Sequence, residues 1–304
     1  MERQPIKGVF AAAVTPLRSD YSPDLDQIPG FLEFLAQRGC HGALVLGTTG
    51  EGTAFSPLER GDIFTAAARV RERVPDFKLL AGTGTPSLQE TIDLNRVAFD
   101  QGFDGVVVLP PYYHRDVGEA GLGRWFSEVI DRSVPSDGLL FAYHIPSVSG
   151  VPIPTTLLQS LHDRHPKQFS GLKDSSGDPA HAEHLGATFH SQLAVFNGND
   201  RHFGLALEHD AAGCITAPAN IISPLLRELW DRAETKGDVQ GIQEEISSAR
   251  SILDRYPPAA PLLKALLAEH FGFPAWPVRP PLMPAPASSV DEALQSLLGG
   301  GVLR

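Results

Sequence analysis

The chain has 304 residues and a formal net charge of −11 at neutral pH, a length that allows one large α/β barrel or two ordinary domains. Hydrophobic residues make up 42% and charged residues 20%, which excludes a disordered chain. The basic residues are scattered, so we expect no nucleic-acid partner. No stretch approaches the roughly 20 apolar residues of a membrane span, and the amino terminus lacks the layout of a secretory signal. We therefore expect a cytoplasmic protein without a membrane contact.

Short β-type runs alternate with helical patterns in the rhythm of β–α units. The predicted strands are Gly8–Val14, Ala43–Leu46, Lys78–Ala81, Gly105–Leu109, Leu139–Tyr143, Phe169–Lys173, Leu193–Phe196 and Ala212–Ile215. Capping boxes beginning at Ser56 and Ser87 open two helices. Further helices are predicted at Leu25–Arg38, Glu119–Arg132, Thr155–His165, Pro179–Phe189, His202–Glu208 and Ile221–Lys236. Eight strands with their helices predict a (β/α)8 TIM barrel, in which the active site lies among the loops that follow the strands.

The alternation of strands and helices stops near residue 238. Three helical patterns follow, at residues 238–255, 259–271 and 289–298. We therefore divide the chain into a barrel, residues 1–237, and a C-terminal helical segment packed on it, residues 238–304. The proline-rich stretch Phe273–Pro286 has few helix or strand formers, so we expect it to be only an extended tether.

One lysine differs from the other five in its sequence context. Lys173 closes an apolar run and is followed by small polar residues and a glycine, which predicts the carboxyl end of a strand, where α/β folds place their chemistry. The others precede apolar runs or fall in amphipathic helical patterns, where a lysine head usually stays in water: Lys7, Lys78, Lys167, Lys236 and Lys264.

Tyr143 ends the fifth predicted strand, so it is expected beside Lys173 on the sixth. Burial of Lys173 among apolar neighbours would favour the neutral amine that can attack a ketone, and a phenol beside it can relay protons. The loop 47–52 is read either as a tight turn or as an anion seat, in which glycines admit backbone N–H groups and Thr48 and Thr49 add hydroxyls. Such a seat would fit the carboxylate of a small 2-oxo acid.

Six motifs together resemble one known family over the whole chain. They are Gly-Thr-Thr-Gly-Glu at 47–51, Pro-Tyr-Tyr at 111–113, Tyr-His-Ile-Pro at 143–146, Gly-Leu-Lys-Asp at 171–174, Gly-Asn-Asp at 198–200 and Val-Arg-Pro-Pro-Leu at 278–282. Their spacing is similar to that of the dihydrodipicolinate synthase / N-acetylneuraminate lyase family. The resemblance implies a class I aldolase-type enzyme on a TIM barrel, usually a homotetramer built as a dimer of dimers. In such enzymes a lysine forms a Schiff base with pyruvate, and no metal or organic cofactor is needed.

The resemblance also assigns roles to residues of this chain. Lys173 would form the imine and Tyr143 would act as acid and base. Thr48 and Tyr113 would complete the proton relay, and Tyr113 would be contributed by a neighbouring subunit across the interface. The carboxylate of pyruvate would be held by Gly47, Thr48 and Thr49, with the backbone of Ile215 facing the site. Our candidates for contacting the second substrate are Ser147, Ser175, Asn199, Asp200 and Arg201, each of which could equally be a solvated loop residue. Gly198 is a further candidate for binding substrate.

Three positions depart from the pattern of the family. Members that use aspartate semialdehyde carry an arginine where this chain has Val148, so a bidentate partner for that substrate is missing. The sialic-acid branch carries an acidic residue where this chain has Arg201. His144 replaces the usual asparagine, and strand alternation predicts that it faces away from Tyr143 as a structural histidine.

The leading hypothesis is reversible cleavage of a 2-oxo-3-deoxy sugar acid or a 4-hydroxy-2-oxo acid to pyruvate and an aldehyde. The alternatives are dehydration of a 2-oxo-3-deoxy acid through the same imine, 4-hydroxy-tetrahydrodipicolinate synthesis, and a non-catalytic barrel that binds a 2-oxo acid. A metal-dependent aldolase would have to use His144, Asp174 and Asp200, which lack a recognisable ligand pattern.

Overall fold

The computed structural model describes residues 6–303. Its centre is a closed barrel of eight parallel strands that neighbour one another in chain order. The strands are β1 (Gly8–Ala12), β2 (Gly42–Val45), β3 (Lys78–Gly82), β4 (Gly105–Val108), β5 (Leu140–His144), β6 (Phe169–Asp174), β7 (Ala194–Asn197) and β8 (Gly213–Thr216). Each predicted strand is present, with ends that agree within two residues. The predicted fold class is therefore confirmed.

Helices surround the barrel and extend beyond it. They are α1 (Gln27–Gln37), α2 (Pro57–Ala68), α3 (Leu88–Asp100), α4 (Gly118–Ser133), α5 (Pro146–Ser149), α6 (Thr155–Arg164), α7 (Pro179–Phe189), α8 (Phe203–Glu208), α9 (Ala219–Glu234), α10 (Gln240–Leu253), α11 (Ala259–Phe271) and α12 (Ala287–Gly299). The capping box at Ser56 is complete. The short helix α5 was not predicted. Within residues 6–303, every helix is too short or too polar to cross a membrane.

Strand alternation divides the buried side chains into an inner and an outer cluster. The inner cluster fills the barrel and comprises Ile6, Phe10, Ala12, Leu44, Leu80, Val107, Phe141, Tyr143, Phe196 and Ile215. Phe196 meets Phe10 and Phe141 edge to face, with ring centroids 5.4 and 5.6 Å away. The hydroxyl-bearing Tyr143 is the last inward-facing residue of β5, while the other residues of the inner cluster are apolar. Chemistry is therefore restricted to the mouth of the barrel at the carboxyl ends of the strands.

The segment between α11 and α12 is extended, as predicted, but the prediction that it is only a tether is wrong. Trp276 is buried, and its ring lies 5.4 Å from that of Phe31 on α1. The Arg279 guanidinium donates to the carbonyls of Tyr21 and Ala54 and to the carboxylate of Glu59. Sparse helix and strand formers predicted the backbone shape, but they gave no sign of these side-chain anchors.

The Glu59–Arg279 pair gives a testable pH dependence. Hydrogen bonding to Arg279 lowers the pKa of Glu59 from 4.5 to about 2. Because the folded-state pKa is depressed, the pair stabilises the protein above about pH 4.5, and this contribution is lost as the pH falls towards 2. Glu59→Gln should cost about 1 kcal/mol at neutral pH and should flatten the dependence of the urea midpoint on pH between those values. An unchanged acid dependence in the variant would contradict this assignment.

Candidate active site

Lys173 and Tyr143 lie side by side at the mouth of the barrel. Strands β5 and β6 are neighbours, and their register pairs Tyr143 with Lys173. The Lys173 Nζ lies 4.4 Å from the centre of the Tyr143 ring. Both side chains are buried, at 3% and 4% exposure. The structure therefore places a buried amine against a buried phenol, as the sequence predicted.

The surroundings of Tyr143 favour its ionised form. Burial by itself raises the pKa of the phenol, but the charge of Lys173 and hydrogen bonds with Thr48, Lys173 and Ser175 outweigh burial, so the pKa lies below its ordinary value of 10. The Thr48 Oγ1 is 3.3 Å from the Tyr143 hydroxyl oxygen. A phenol whose pKa is shifted towards neutrality is a better proton donor and acceptor in catalysis.

The predicted anion seat, residues 47–52, is a tight loop after β2. The backbone is left-handed at Leu46 (φ 59°), just before the loop, and at Glu51 (φ 57°) within it. This conformation costs roughly 1–2 kcal/mol for a residue with a side chain. A Cβ at Gly52 would lie 2.0 Å from the carbonyl oxygen of Leu46, so this close approach requires glycine. Thr48 is exposed at the mouth and Thr49 is half-buried. The loop thus places the Thr48 hydroxyl against Tyr143.

A buried ion pair joins this loop to the C-terminal segment. The Lys264 Nζ on α11 donates to Glu51 Oε1 (2.5 Å) and to the Pro277 carbonyl (2.8 Å). The Arg279 backbone N–H donates to Glu51 Oε2 (2.8 Å), and the side chains of Lys264 and Glu51 are both 1% exposed. The prediction of a solvated amine at Lys264 is wrong, because that side chain points into the protein interior. The C-terminal segment therefore fixes the left-handed turn at Glu51.

Ser175 and Gly198 form the wall of the mouth next to Lys173. The Ser175 N–H donates to the His144 carbonyl (2.7 Å), and the Gly198 N–H donates to the Asp174 carbonyl (2.6 Å). A Cβ at Gly198 would lie 2.0 Å from Ser175 Oγ, so this glycine leaves room for a hydroxyl that bonds to Tyr143. Ser175 is therefore the candidate for contacting the second substrate that lies nearest to the catalytic pair.

The remaining second-substrate candidates occupy varied positions. Ser147 is exposed on α5, and the Asn199 side chain accepts from the Arg201 N–H (3.3 Å). Asp200 is fully buried and accepts from Thr216 (2.6 Å) and from the guanidinium of Arg250. The Arg201 side chain donates to residues of the C-terminal segment. The expectation that Asp200 and Arg201 contact a substrate does not fit this geometry, because both side chains tie the end of β7 to that segment.

Tyr113 does not join the relay within a single chain. Its side chain is 78% exposed, and its ring meets that of His114 edge-on at 5.4 Å. The role predicted for it in a neighbouring subunit stays a prediction. Ile215 is fully buried in the inner cluster, and the role predicted for its backbone stays a prediction.

A cavity of about 160 Å³ adjoins the catalytic pair. Thr48 and Tyr143 lie on its border, and Arg60, Thr83 and Tyr112 lie on its walls. The other lining residues are Leu44, Leu46, Gly47, Gly52, Thr53, Gly82, Gly84, Val107, Leu109, Val148 and Ser149. Sequence reasoning missed Arg60 and Tyr112. A signal for Arg60 exists, because it precedes Ile63, Phe64 and Ala67 at helical spacing and so shares the buried stripe of α2.

His144, Asp174 and His181 form a cluster whose ligand atoms lie within 4.8 Å of one another. His144 lies on the outer face of β5, as alternation predicted, and its Nδ1 accepts the N–H of Ile153 (3.1 Å). A neutral imidazole that accepts at Nδ1 carries its proton on Nε2, so His144 in this hydrogen-bonded state has no free lone pair for a metal. Asp200 belongs to a different network, so the trio considered for a metal-dependent aldolase is not assembled.

Comparison with known proteins agrees with this geometry. The sequence profile of the dihydrodipicolinate synthetase family matches residues 5–298. The chain belongs to the dihydrodipicolinate synthetase family. An uncharacterised DapA-like lyase of Chloroflexus aurantiacus is 40% identical over 281 residues, which cover 91% of each chain. The 4-hydroxy-tetrahydrodipicolinate synthase of Kosmotoga olearia is 30% identical over 98% of this chain and 99% of its own.

Solved structures of family members share the fold of this chain. Dihydrodipicolinate synthase of Acinetobacter baumannii, crystallised with pyruvate, has a TM-score of 0.86 at 24% identity and covers 98% of this chain and all of its own. N-acetylneuraminate lyase of Proteus mirabilis has a TM-score of 0.87 at 23% identity and covers 98% and 99%. Proteins named for different activities thus share this barrel, so the particular reaction has to be argued from the site.

Proposed function

We propose that this protein is a class I aldolase that reversibly cleaves a 2-oxo-3-deoxy sugar acid or a 4-hydroxy-2-oxo acid to pyruvate and an aldehyde. The observation that carries the proposal is the Lys173 amine, buried against Tyr143, whose hydroxyl in turn meets Thr48. A buried amine beside a proton-relaying phenol is the arrangement that imine chemistry requires.

The residues suggest a sequence of steps in which Lys173 is the nucleophile. Its neutral amine adds to the C2 ketone, and loss of water gives an iminium ion. Tyr143, as phenolate, takes the proton of the C4 hydroxyl while the C3–C4 bond breaks. The aldehyde is released, and the electron pair of the broken C3–C4 bond stays on the pyruvate part as an enamine. Protonation of C3 and hydrolysis of the iminium ion then free pyruvate and restore the amine.

The choice of cleavage over dihydrodipicolinate synthesis rests on the turn after β5. Val148 there is 58% exposed and borders the cavity, so this position offers no guanidinium to an aspartate semialdehyde carboxylate. The pyruvate complex of the Acinetobacter baumannii relative supports a 2-oxo acid as the shared substrate. We also propose a homotetramer, built as a dimer of dimers, in which the exposed Tyr113 reaches the site of a second subunit.

Borohydride reduction in the presence of pyruvate tests the imine directly. We expect a covalent adduct of reduced pyruvate on Lys173, located by peptide mass spectrometry, and none when borohydride is added without pyruvate. Absence of the adduct would remove the basis of the proposal. A screen of 2-oxo-3-deoxy acids then separates the reactions: pyruvate plus an aldehyde supports cleavage, whereas a dioxo product with an intact carbon skeleton supports dehydration.

Tyr143→Phe should lower kcat for cleavage by about 10²–10⁴-fold, the usual contribution of a general acid–base group. The phenyl ring keeps the packing against Lys173, so the imine should still form and be trapped, though more slowly. Stopped-flow measurement of single turnovers checks this separation of steps. Tyr256→Phe, on the C-terminal segment, is the matched control and should keep wild-type turnover, whereas an equal loss in both variants would contradict the relay.

A further inference from the structure

The cavity beside Tyr143 contains a buried cation, Arg60, that forms no salt bridge within residues 6–303, although the charge of Glu90 acts on it. Arg60 is 2% exposed and lines the cavity, and its Nη2 donates to the Gly82 carbonyl (2.8 Å). Its Nε has no hydrogen-bond partner, and no carboxylate of residues 6–303 forms a salt bridge with the guanidinium. Buried charges in proteins are normally paired. An unpaired guanidinium on a cavity wall therefore points to an anionic occupant.

A second polar group on the same cavity also lacks a partner. The Thr83 hydroxyl, at the end of β3, is fully buried, and its Oγ1 makes no hydrogen bond. Apolar side chains of Leu44, Val107 and Leu109 form other parts of the wall. A charge-assisted hydrogen bond is strengthened where water is displaced by such surroundings. Two donor groups without hydrogen-bond partners, Arg60 Nε and the Thr83 hydroxyl, therefore belong to residues that line one small, largely apolar cavity.

Burial lowers the pKa of Arg60 to about 10, so the guanidinium remains a cation at neutral pH. A planar carboxylate matches the fork of a guanidinium and can accept from a neighbouring hydroxyl as well. Thr48 and Tyr143 border the same cavity. Lys173 lies against Tyr143 and not on the cavity wall, so the far end of a substrate attached to it would have to pass Tyr143 to reach Arg60.

We propose that this cavity is an anion subsite, in which Arg60 and Thr83 bind a second carboxylate at the far end of the 2-oxo acid. The proposal rests on the imine function of Lys173 and narrows its substrates to 2-oxo dicarboxylic acids. It also assigns a carboxylate partner that Val148 cannot provide. Tyr143 contacts Lys173 and also borders the cavity, so it joins the two sites.

Pairs of probes that differ only at the far end test this subsite. Trapping of Lys173 by borohydride is measured as a function of concentration for 2-oxoglutarate against 2-oxopentanoate, and for 2-oxoadipate against 2-oxohexanoate. In each pair a carboxylate replaces a methyl group. The wild-type protein should show half-maximal trapping at a concentration about tenfold or more lower for the dicarboxylic member of at least one pair. Equal values within both pairs would overturn the subsite.

Variants identify the groups responsible for the preference. Arg60→Gln and Thr83→Val should each reduce the preference for the dicarboxylic acid, measured as the ratio of the two half-maximal trapping concentrations within a pair. Trapping is first normalised to that of pyruvate in the same variant. Arg38→Gln is the matched control, because that guanidinium also donates to a backbone carbonyl, that of Ile221 at 2.9 Å, but it does not line this cavity. The control should keep the wild-type ratio.

Failure of the function proposed for Lys173 and failure of the subsite give different results. If wild-type protein traps no pyruvate, the function proposed for Lys173 fails. If pyruvate is trapped but the dicarboxylic acids show no advantage, only the subsite fails. Should Arg60→Gln weaken trapping of every acid by the same factor, Arg60 would serve the carboxylate next to the ketone, and the second-carboxylate proposal would be wrong.

Discussion

Replacement of Lys173 by alanine is expected to abolish aldol cleavage, with a loss of about 10⁴-fold or more in kcat/KM. The substitution removes the amine that forms the covalent intermediate, and no other lysine takes its place: Lys264 is paired with Glu51 and Lys167 is exposed at the opposite end of β6. Steady-state pyruvate release and borohydride trapping both measure the effect. Both signals should fall to background.

Lys167→Ala is the matched control for this experiment, because it removes a lysine near the same strand without touching the mouth of the barrel. It should leave turnover and trapping at wild-type values. Circular dichroism and a thermal scan of the Lys173 variant establish that the barrel still folds. Trapping of pyruvate at undiminished yield in Lys173→Ala would show that another amine performs the chemistry.

Breaking the buried pair of Glu51 and Lys264 should have the largest effect on stability. Both side chains are 1% exposed, so Lys264→Met would leave an uncompensated carboxylate in the interior, at a cost of roughly 3–5 kcal/mol. The same change would free the left-handed turn at Glu51 and loosen the loop at 47–52, which the sequence predicts to hold the carboxylate. We expect a lower urea midpoint together with weaker half-saturation by pyruvate in the trapping assay.

A double variant separates the pair from its individual members. In Glu51→Gln combined with Lys264→Met neither charge remains unpaired, so part of the lost stability should return. Lys167→Met supplies the control for loss of an exposed lysine and should keep the wild-type urea midpoint within about 0.5 kcal/mol. If the single and double variants lost stability additively, the two side chains would not act as a pair.

Local sequence patterns predicted the barrel and the pair of Tyr143 and Lys173. Both depend on the alternation of side chains along each strand and on the order of the strands in the chain. Alternation along β5 places Phe141 and Tyr143 inside and His144 outside, and neighbouring strands bring Tyr143 to Lys173. The loop at 47–52 was recognisable from its glycines and threonines. Such features are set by contacts that are close in sequence or fixed by strand order.

Side chains whose partners lie far away in the chain could not be predicted in the same way. Lys264 belongs to a helix that is apolar on most sides, and nothing local shows that it meets Glu51, 213 positions earlier. Asp200 and Arg201 follow a strand as site residues do, yet their partners are on α10 and just beyond it. Polar residues after a strand are therefore ambiguous until the appended helices are placed.

The attachment of the C-terminal segment to the loop at 47–52 also bears on how the protein is made. All eight strands are complete by Thr216, but the two groups that hold Glu51, the Lys264 amine and the Arg279 amide, emerge from the ribosome later. A nascent chain that contains all eight strands thus still lacks both groups that hold Glu51 in the loop at 47–52. Complete support of Glu51 therefore requires that translation has passed Arg279.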